Sequence, residues 1–223
     1  MNDAVEILRN RTQPSSARLD ALLVIVDEFQ PEDFLLFEEI LCNPEEATDV
    51  RCAIALALGK IAGERPLEIL RSVSHDEDPL LRHYVMQALG MTHQEAAAPI
   101  LIQALKDKSN DVFATASEAL GELGEKAIPY LIELLSAGAD DARCIAAWQL
   151  GELGSAKAVP ALVETIRQRP NVSVIALCIW ALGEIGMGSE EVLTLLTEAR
   201  RELEPDVRLR AETAIKKIVR HSN

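Results

Sequence analysis

From Val50 onward the chain alternates apolar and polar residues at intervals that fit one face of a helix. With Val50 as position 0, apolar residues stand at 0, +3, +4, +7, +8 and +11, ending at Ile61. At 100° per residue these positions gather on one side. The same spacing returns from Leu81, Val112, Ala142 and Val174, and each stretch carries a glycine at +9: Gly59, Gly90, Gly121, Gly151 and Gly183. These glycines follow one another at 30 to 32 residues, a period that predicts a stacked array of repeats.

A second marker runs in step with the first. Pro66, Pro99, Pro129 and Pro160 each open a short apolar segment, and proline suits the first helical position because its missing N–H would be unpaired there anyway. Each repeat is therefore expected to hold a shorter A helix begun near Pro and a B helix begun near Asp. Asp49, Asp78, Asp111, Asp141 and Asp206, with Asn171, stand where a side chain caps the free N–H groups of a B helix. Gly124, Gly154 and Gly186 stand where a helix needs a left-handed terminating residue.

The expected fold is all-α, an α-solenoid (α–α superhelix) of about seven helix pairs in one domain over 1–223. Degenerate segments from Ala17 and Asp206 keep the apolar spacing but place Val26 and Lys216 at +9, as the caps of an open stack would. The expected divisions are an N-terminal cap at 1–45, regular repeats at 46–188 and a C-terminal cap at 189–223. Composition agrees, because 48% hydrophobic but only 4% aromatic residues leave a core of Ala, Leu, Ile and Val.

Charge narrows the partners. A net charge of -14 and a pI near 4.7 oppose binding to a phosphate backbone, so no nucleic acid is expected. No run approaches the roughly 18 to 20 apolar residues that span a bilayer, and "MNDAVEILRN" lacks the pattern of a secretory leader. The expectation is a cytoplasmic protein without membrane insertion. Cys42, Cys52, Cys144 and Cys178 form no CxxC pair, so no metal site is expected and the thiols read as small apolar side chains. Cys52 and Cys144 share position +2, but three repeats should hold them about 25 to 30 Å apart, beyond disulfide reach. A transient thiol carrier or iron–sulfur chemistry on these residues is the remaining use for them.

On each B helix, +2, +5 and +6 lie opposite the apolar stripe and are expected to form the exposed ridge of the concave surface. They include Leu56, then His83 and Gln87, then Glu118, then Cys144, Ala147 and Trp148, then Ile179 and Trp180. Both tryptophans of the chain occupy +6, in adjacent repeats, at a separation that would let two indoles share one ligand or partner side chain. Glu122, Glu152 and Glu184 share +10. Glu152 is the candidate proton-transfer carboxylate, against the plainer reading of the three as solvated helix-end residues. Arg51, Arg82, Arg143 and Arg208 share +1 and predict a ladder in which an arginine meets the capping Asp of its neighbour, broken at Phe113 and Ile175. His83 and His93 stand where they could touch a ligand, but His83 has no Ser or Cys partner at readable spacing, and no catalytic constellation is legible.

The pattern of Asp49, Val50, Arg51, Ala53, Leu58, Gly59 and Ile61, repeated from Asp111 to Gly124 with Ala127 and Pro129, resembles the HEAT-like repeats of the phycobilin lyase and phycobilisome degradation protein family over roughly 45 to 220. "CIAAWQL" at 144 to 150 is similar to a Y-Y-A-A-W-W-L segment of some lyase subunits, matching at Ala146, Ala147, Trp148 and Leu150. The resemblance implies two alternatives. One is a non-catalytic adaptor that holds a phycobiliprotein or another pigment-handling component. The other is a subunit of a phycobilin lyase or lyase-isomerase that attaches or detaches bilin at a phycobiliprotein cysteine, with phycocyanobilin held transiently, no resident cofactor, and a second HEAT-like subunit as co-worker.

Overall fold

The computed structural model describes residues 2–201 and 204–221. Among them every regular element is helical, and the α-solenoid class expected from the period is the fold observed. The contacts divide the chain into two compact units, Met1–Leu123 and Gly124–Asn223.

In the first unit α1 (Asn2–Arg9) pairs with α2 (Ser15–Asp27), α3 (Asp33–Leu41) with α4 (Thr48–Lys60), α5 (Glu64–Ser72) with α6 (Pro79–Met91), and α7 (Ala98–Ala104) with α8 (Asn110–Leu123). In the second, α9 (Ile128–Ala137) pairs with α10 (Asp140–Leu153), α11 (Val159–Arg167) with α12 (Val172–Ile185), and α13 (Glu190–Ala199) with α14 (Pro205–His221). Even-numbered helices are the B helices. Within the units α4 packs on α6, α6 on α8, α10 on α12 and α12 on α14.

The marker glycines explain how B helices approach one another. A Cβ built on Gly59 would meet the Ala88 backbone at 2.7 Å, one on Gly90 the Ala119 Cβ at 2.8 Å, one on Gly151 the Ala181 Cα at 3.0 Å, and one on Gly183 the Ala214 Cα at 2.8 Å. The +9 glycine of one helix thus faces the +7 alanine of the next, and neither can carry a larger side chain without separating the helices.

Helix ends follow the sequence in part. Pro99, Pro129 and Pro160 sit in the first turn of their A helices. Asp78 accepts from the Leu80 N–H at 2.9 Å and Asn171 from the Val174 N–H at 2.9 Å. Asp49, Asp111, Asp141 and Asp206 are not caps: each lies inside the first turn of its helix, where the carboxylate still complements the helix dipole. Gly124, Gly154 and Gly186 adopt φ of 56°, 63° and 72°, the left-handed geometry expected of them. His93 occupies the equivalent place after α6, with φ 49°.

The arginine ladder exists with different partners. Arg51 donates to Asp76 at 2.5 Å and to the Leu41 carbonyl at 2.8 Å, and Arg82 donates twice to Asp107, at 2.7 and 2.8 Å. These acids are not the expected capping residues but members of the preceding loops. Their other bonds show why: Asp76 accepts from the Asp78 N–H at 3.0 Å and Asp107 from the Ser109 N–H at 2.8 Å, so each carboxylate fixes the loop that leads into a B helix while it binds the arginine. Arg143 meets the neutral Gln168 at 3.3 Å. A further rung, Arg18 with Glu46, is buried at 2% and 4% exposure and joins the segment read as a degenerate cap to the first residue of the regular repeats.

Candidate functional site

The ridge residues divide between the two units, and burial separates them. In the first unit, Leu56 is half-buried while Gln87 and Glu118 are exposed. His83 is half-buried, with Nδ1 2.8 Å from the Thr115 hydroxyl and its ring edge-on to Tyr84 at 5.0 Å. Cys52 is buried at 5%.

In the second unit, Trp148 and Trp180 are half-buried, Cys144 is half-buried and Glu152 is exposed. Ala147 and Ile179 depart from the expectation of an exposed ridge, because both have 0% exposure. The reason is shared by Ala55 and Met86, also at 0%. B helices pack on B helices within each unit, so a B helix has more than one buried side, and a single apolar stripe underestimates its core. The outward positions of the second unit are therefore +6, with +2 at Cys144, and not +5.

Trp180 is held by its neighbours. Its Cζ3 lies 2.6 Å from where a Cβ would stand on Gly151, so the absence of a side chain there gives the indole its seat. On its other side Trp180 lines a cavity of about 210 Å³ with Leu209, Arg210 and Lys217 of α14. Leu209 is 64% exposed. Leu209 stands at +2 of the terminal B helix, where the repeat register reaches it directly, but reading that helix only as a cap hides its part in the ridge. Lys217 pairs with Glu184, so the +10 glutamates are not equivalent: Glu184 is neutralised by a lysine, and Glu152 faces solvent.

Cys52, Cys144 and Cys178 are poorly suited to thiolate chemistry. Burial, reinforced by Asp78, pushes Cys52 up to about 11, and burial pushes Cys178 up to about 12. Cys144 is raised by burial and by Asp141 and Asp140. Such groups are weak thiolates at neutral pH. Among the described residues no group of three or more His, Cys, Asp or Glu could hold a metal ion, and no helix is long and apolar enough to cross a membrane.

The profile of the HEAT repeats matches residues 72–143 and 128–216, and the chain belongs to the HEAT-repeat family. No curated protein matches it in sequence. Among solved structures it is similar to human deoxyhypusine hydroxylase in complex with glycerol, at 22% identity over 98% of this chain and 96% of that one, with a TM-score of 0.47. It is similar to the complex of CpcE and CpcF of phycocyanin lyase from Nostoc sp. PCC7120, at 19% identity over 96% and 93%, with a TM-score of 0.47. A designed armadillo repeat protein matches at 16% identity over 82% and 98%, with a TM-score of 0.40. None of these likenesses bears on activity.

Proposed function

We propose that the protein is a binding scaffold that holds a protein partner against the B-helix ridge of its second unit, with Trp148 and Trp180 as the anchors. The observation that carries this reading is the pair of tryptophans in one register on adjacent helices, partly exposed amid small residues. Tryptophan is enriched among the few residues that dominate an interface, and Trp180 lines a cavity that a partner side chain could fill. Cys144 on the same helix and the exposed Leu209 extend the apolar surface. Leu56, His83, Gln87 and Glu118 belong to the corresponding ridge of the first unit.

The finer reading is that the partner is a phycobiliprotein. Its support is the resemblance of the repeat pattern and of Ala146, Ala147, Trp148 and Leu150 to the phycobilin lyase family. The test is co-elution of the purified protein with an apo- or holo-phycobiliprotein subunit, repeated with Trp148→Ala and Trp180→Ala together. The double variant should lose at least about 2 kcal/mol of binding; unchanged affinity would sink the ridge as the site.

The same local segment also favours a second reading, a lyase subunit that attaches bilin with Glu152 as the proton donor. Mixing the protein with phycocyanobilin and the apo-subunit, then reading covalent bilin by zinc-induced fluorescence after denaturation, separates the two. Attachment above the spontaneous background makes the protein an enzyme, and co-elution without attachment makes it the adaptor.

A further inference from the structure

The ladder is interrupted in the second unit, and the interruption leaves a cavity of a different chemistry. In α12 the +1 residue is Ile175 instead of arginine, and 25 residues further on, where Arg51 and Arg82 find their acids, stands Arg200. Both halves of the clamp are therefore replaced. In the first unit the depression at the corresponding helix ends is floored by Arg82 with Asp107 and bordered by His75, Lys106 and Lys108. In the second unit the corresponding cavity, about 420 Å³, is walled by Ile166, Val172, Ile175, Leu195 and Val207. Val172 is 42% exposed, so the apolar wall reaches solvent.

Taken together with the depression beside it, the rim carries more acid than base. Glu198 and Glu204 border the cavity with Arg167 and Arg169. An adjoining depression shares Arg167, Leu195 and Glu198 and adds Glu190 and Glu191. Arg167 is already bound to Glu191 at 2.7 Å, and the other charges that line the two depressions are Glu190, Glu198 and Glu204 against Arg169. A volume of this size accommodates one or two large apolar side chains, and the acidic surround attracts cations and disfavours anions.

The geometry points to a second binding surface: the cavity at Ile175 takes an apolar anchor residue from a basic segment of a protein partner, with flanking lysines or arginines on Glu190, Glu198 and Glu204. It shares no residue with the tryptophan ridge and stands whether or not that ridge binds.

Three fluorescein-labelled hexapeptides test it by fluorescence anisotropy on the full chain: Lys-Lys-Leu-Leu-Lys-Lys, its Lys-Lys-Ser-Ser-Lys-Lys counterpart and its Glu-Glu-Leu-Leu-Glu-Glu counterpart. The first should bind at least tenfold more tightly than either of the others, and added salt should weaken it. Ile175→Arg restores the clamp's arginine and should lower that affinity at least tenfold. Ala137→Arg, which adds the same charge at an exposed position outside the cavity, should not. Because Ile175 is half-buried, Glu190→Lys with Glu198→Lys, both exposed positions, provides a second loss-of-binding variant, with helicity checked by circular dichroism. Equal binding of the serine peptide would reduce the effect to diffuse charge and overturn the proposal, as would equal binding of the acidic peptide, no binding of any peptide, or an Ile175→Arg protein that binds as before.

Discussion

The indole of Trp180 lies in the space that a side chain would need at Gly151: a Cβ there would come within 2.6 Å of Cζ3 and 3.0 Å of the Ala181 Cα. The glycine thus sets both the position of a ridge tryptophan and the spacing of α10 and α12. In an exposed helix Gly→Ala gains about 1 kcal/mol of helix propensity. Here the new methyl must displace an indole and a neighbouring backbone, and overpacking of that kind costs about 1 to 3 kcal/mol. Gly151→Ala should therefore destabilise the protein to urea and change the tryptophan emission. A stabilised protein with unaltered emission would contradict the packing.

Gly183 tests the same contact without an aromatic. A Cβ there would stand 2.8 Å from both the Cα and the Cβ of Ala214, and backbone cannot swing aside as a flexible side chain can. Gly183→Ala should lower stability by about 1 to 3 kcal/mol. The loss should appear first as faster amide exchange in α14, because a repeat is held by its neighbours alone. Uniform exchange across the second unit would show that the α12–α14 contact is not the one strained.

Stability should fall with acid in the first unit before the second. The hydrogen bond from Arg18 holds the Glu46 carboxyl below its ordinary 4.5 against the opposing effect of burial. Burial raises Asp76, but the Arg51 hydrogen bond and the Asp78 amide outweigh it and leave it below 3.8; the hydrogen bond from Arg82 lowers Asp107 likewise. Because these folded-state values are depressed, their stabilisation is complete above the ordinary carboxyl values and is lost as pH falls through the folded ones. The rung of the second unit uses the neutral Gln168 and has no such dependence. Both tryptophans belong to the second unit, so ellipticity should decline below about pH 4 while tryptophan emission holds. Simultaneous transitions, or emission changing first, would refute the assignment.

Thiol reactivity should be confined to one cysteine at first. Cys42 is exposed, 3.6 Å from the Ser72 hydroxyl, whereas Cys52 and Cys178 are buried and shifted up to about 11 and about 12. At pH 8 a disulfide reagent should label one thiol rapidly in the native protein, and Cys42→Ser should abolish that phase. All four should react in denaturant. Fast labelling of Cys144 or Cys178 would reopen a role for them.

The fold was legible because +9 glycines and A-helix prolines recur with the period of the packing itself: Gly59, Gly90, Gly151 and Gly183 are spaced as they are because each must face an alanine of the next helix. The surface was less legible. A helical projection assigns one buried side, but Ala147 and Ile179 are buried on helices that pack against further B helices, which the projection does not contain. Arg18 stands at +1 when counted from Ala17 but is missed when only the regular repeats are counted, and its partner Glu46 is 28 residues away, a spacing that the regular repeats do not share. Ile175 was visible as a gap in the ladder, but the cavity beside it depends on α13 and α14.

Arg18 and Glu46 separate the cost of burying a pair from the cost of breaking it. Arg18 donates to Glu46 at 2.5 and 2.8 Å and to the Leu8 carbonyl at 2.8 Å, so its guanidinium is bonded on both edges with almost no solvent. Glu46→Leu would leave that cation buried without its counter-charge and should cost about 3 to 5 kcal/mol. Replacing both, Arg18→Met with Glu46→Leu, removes the desolvated charges together and should recover most of the loss. Urea denaturation at pH 7 measures the cycle. A double variant as unstable as the single one would mean that the Arg18 bond to Leu8, which ties α2 to the end of α1, matters more than the ion pair.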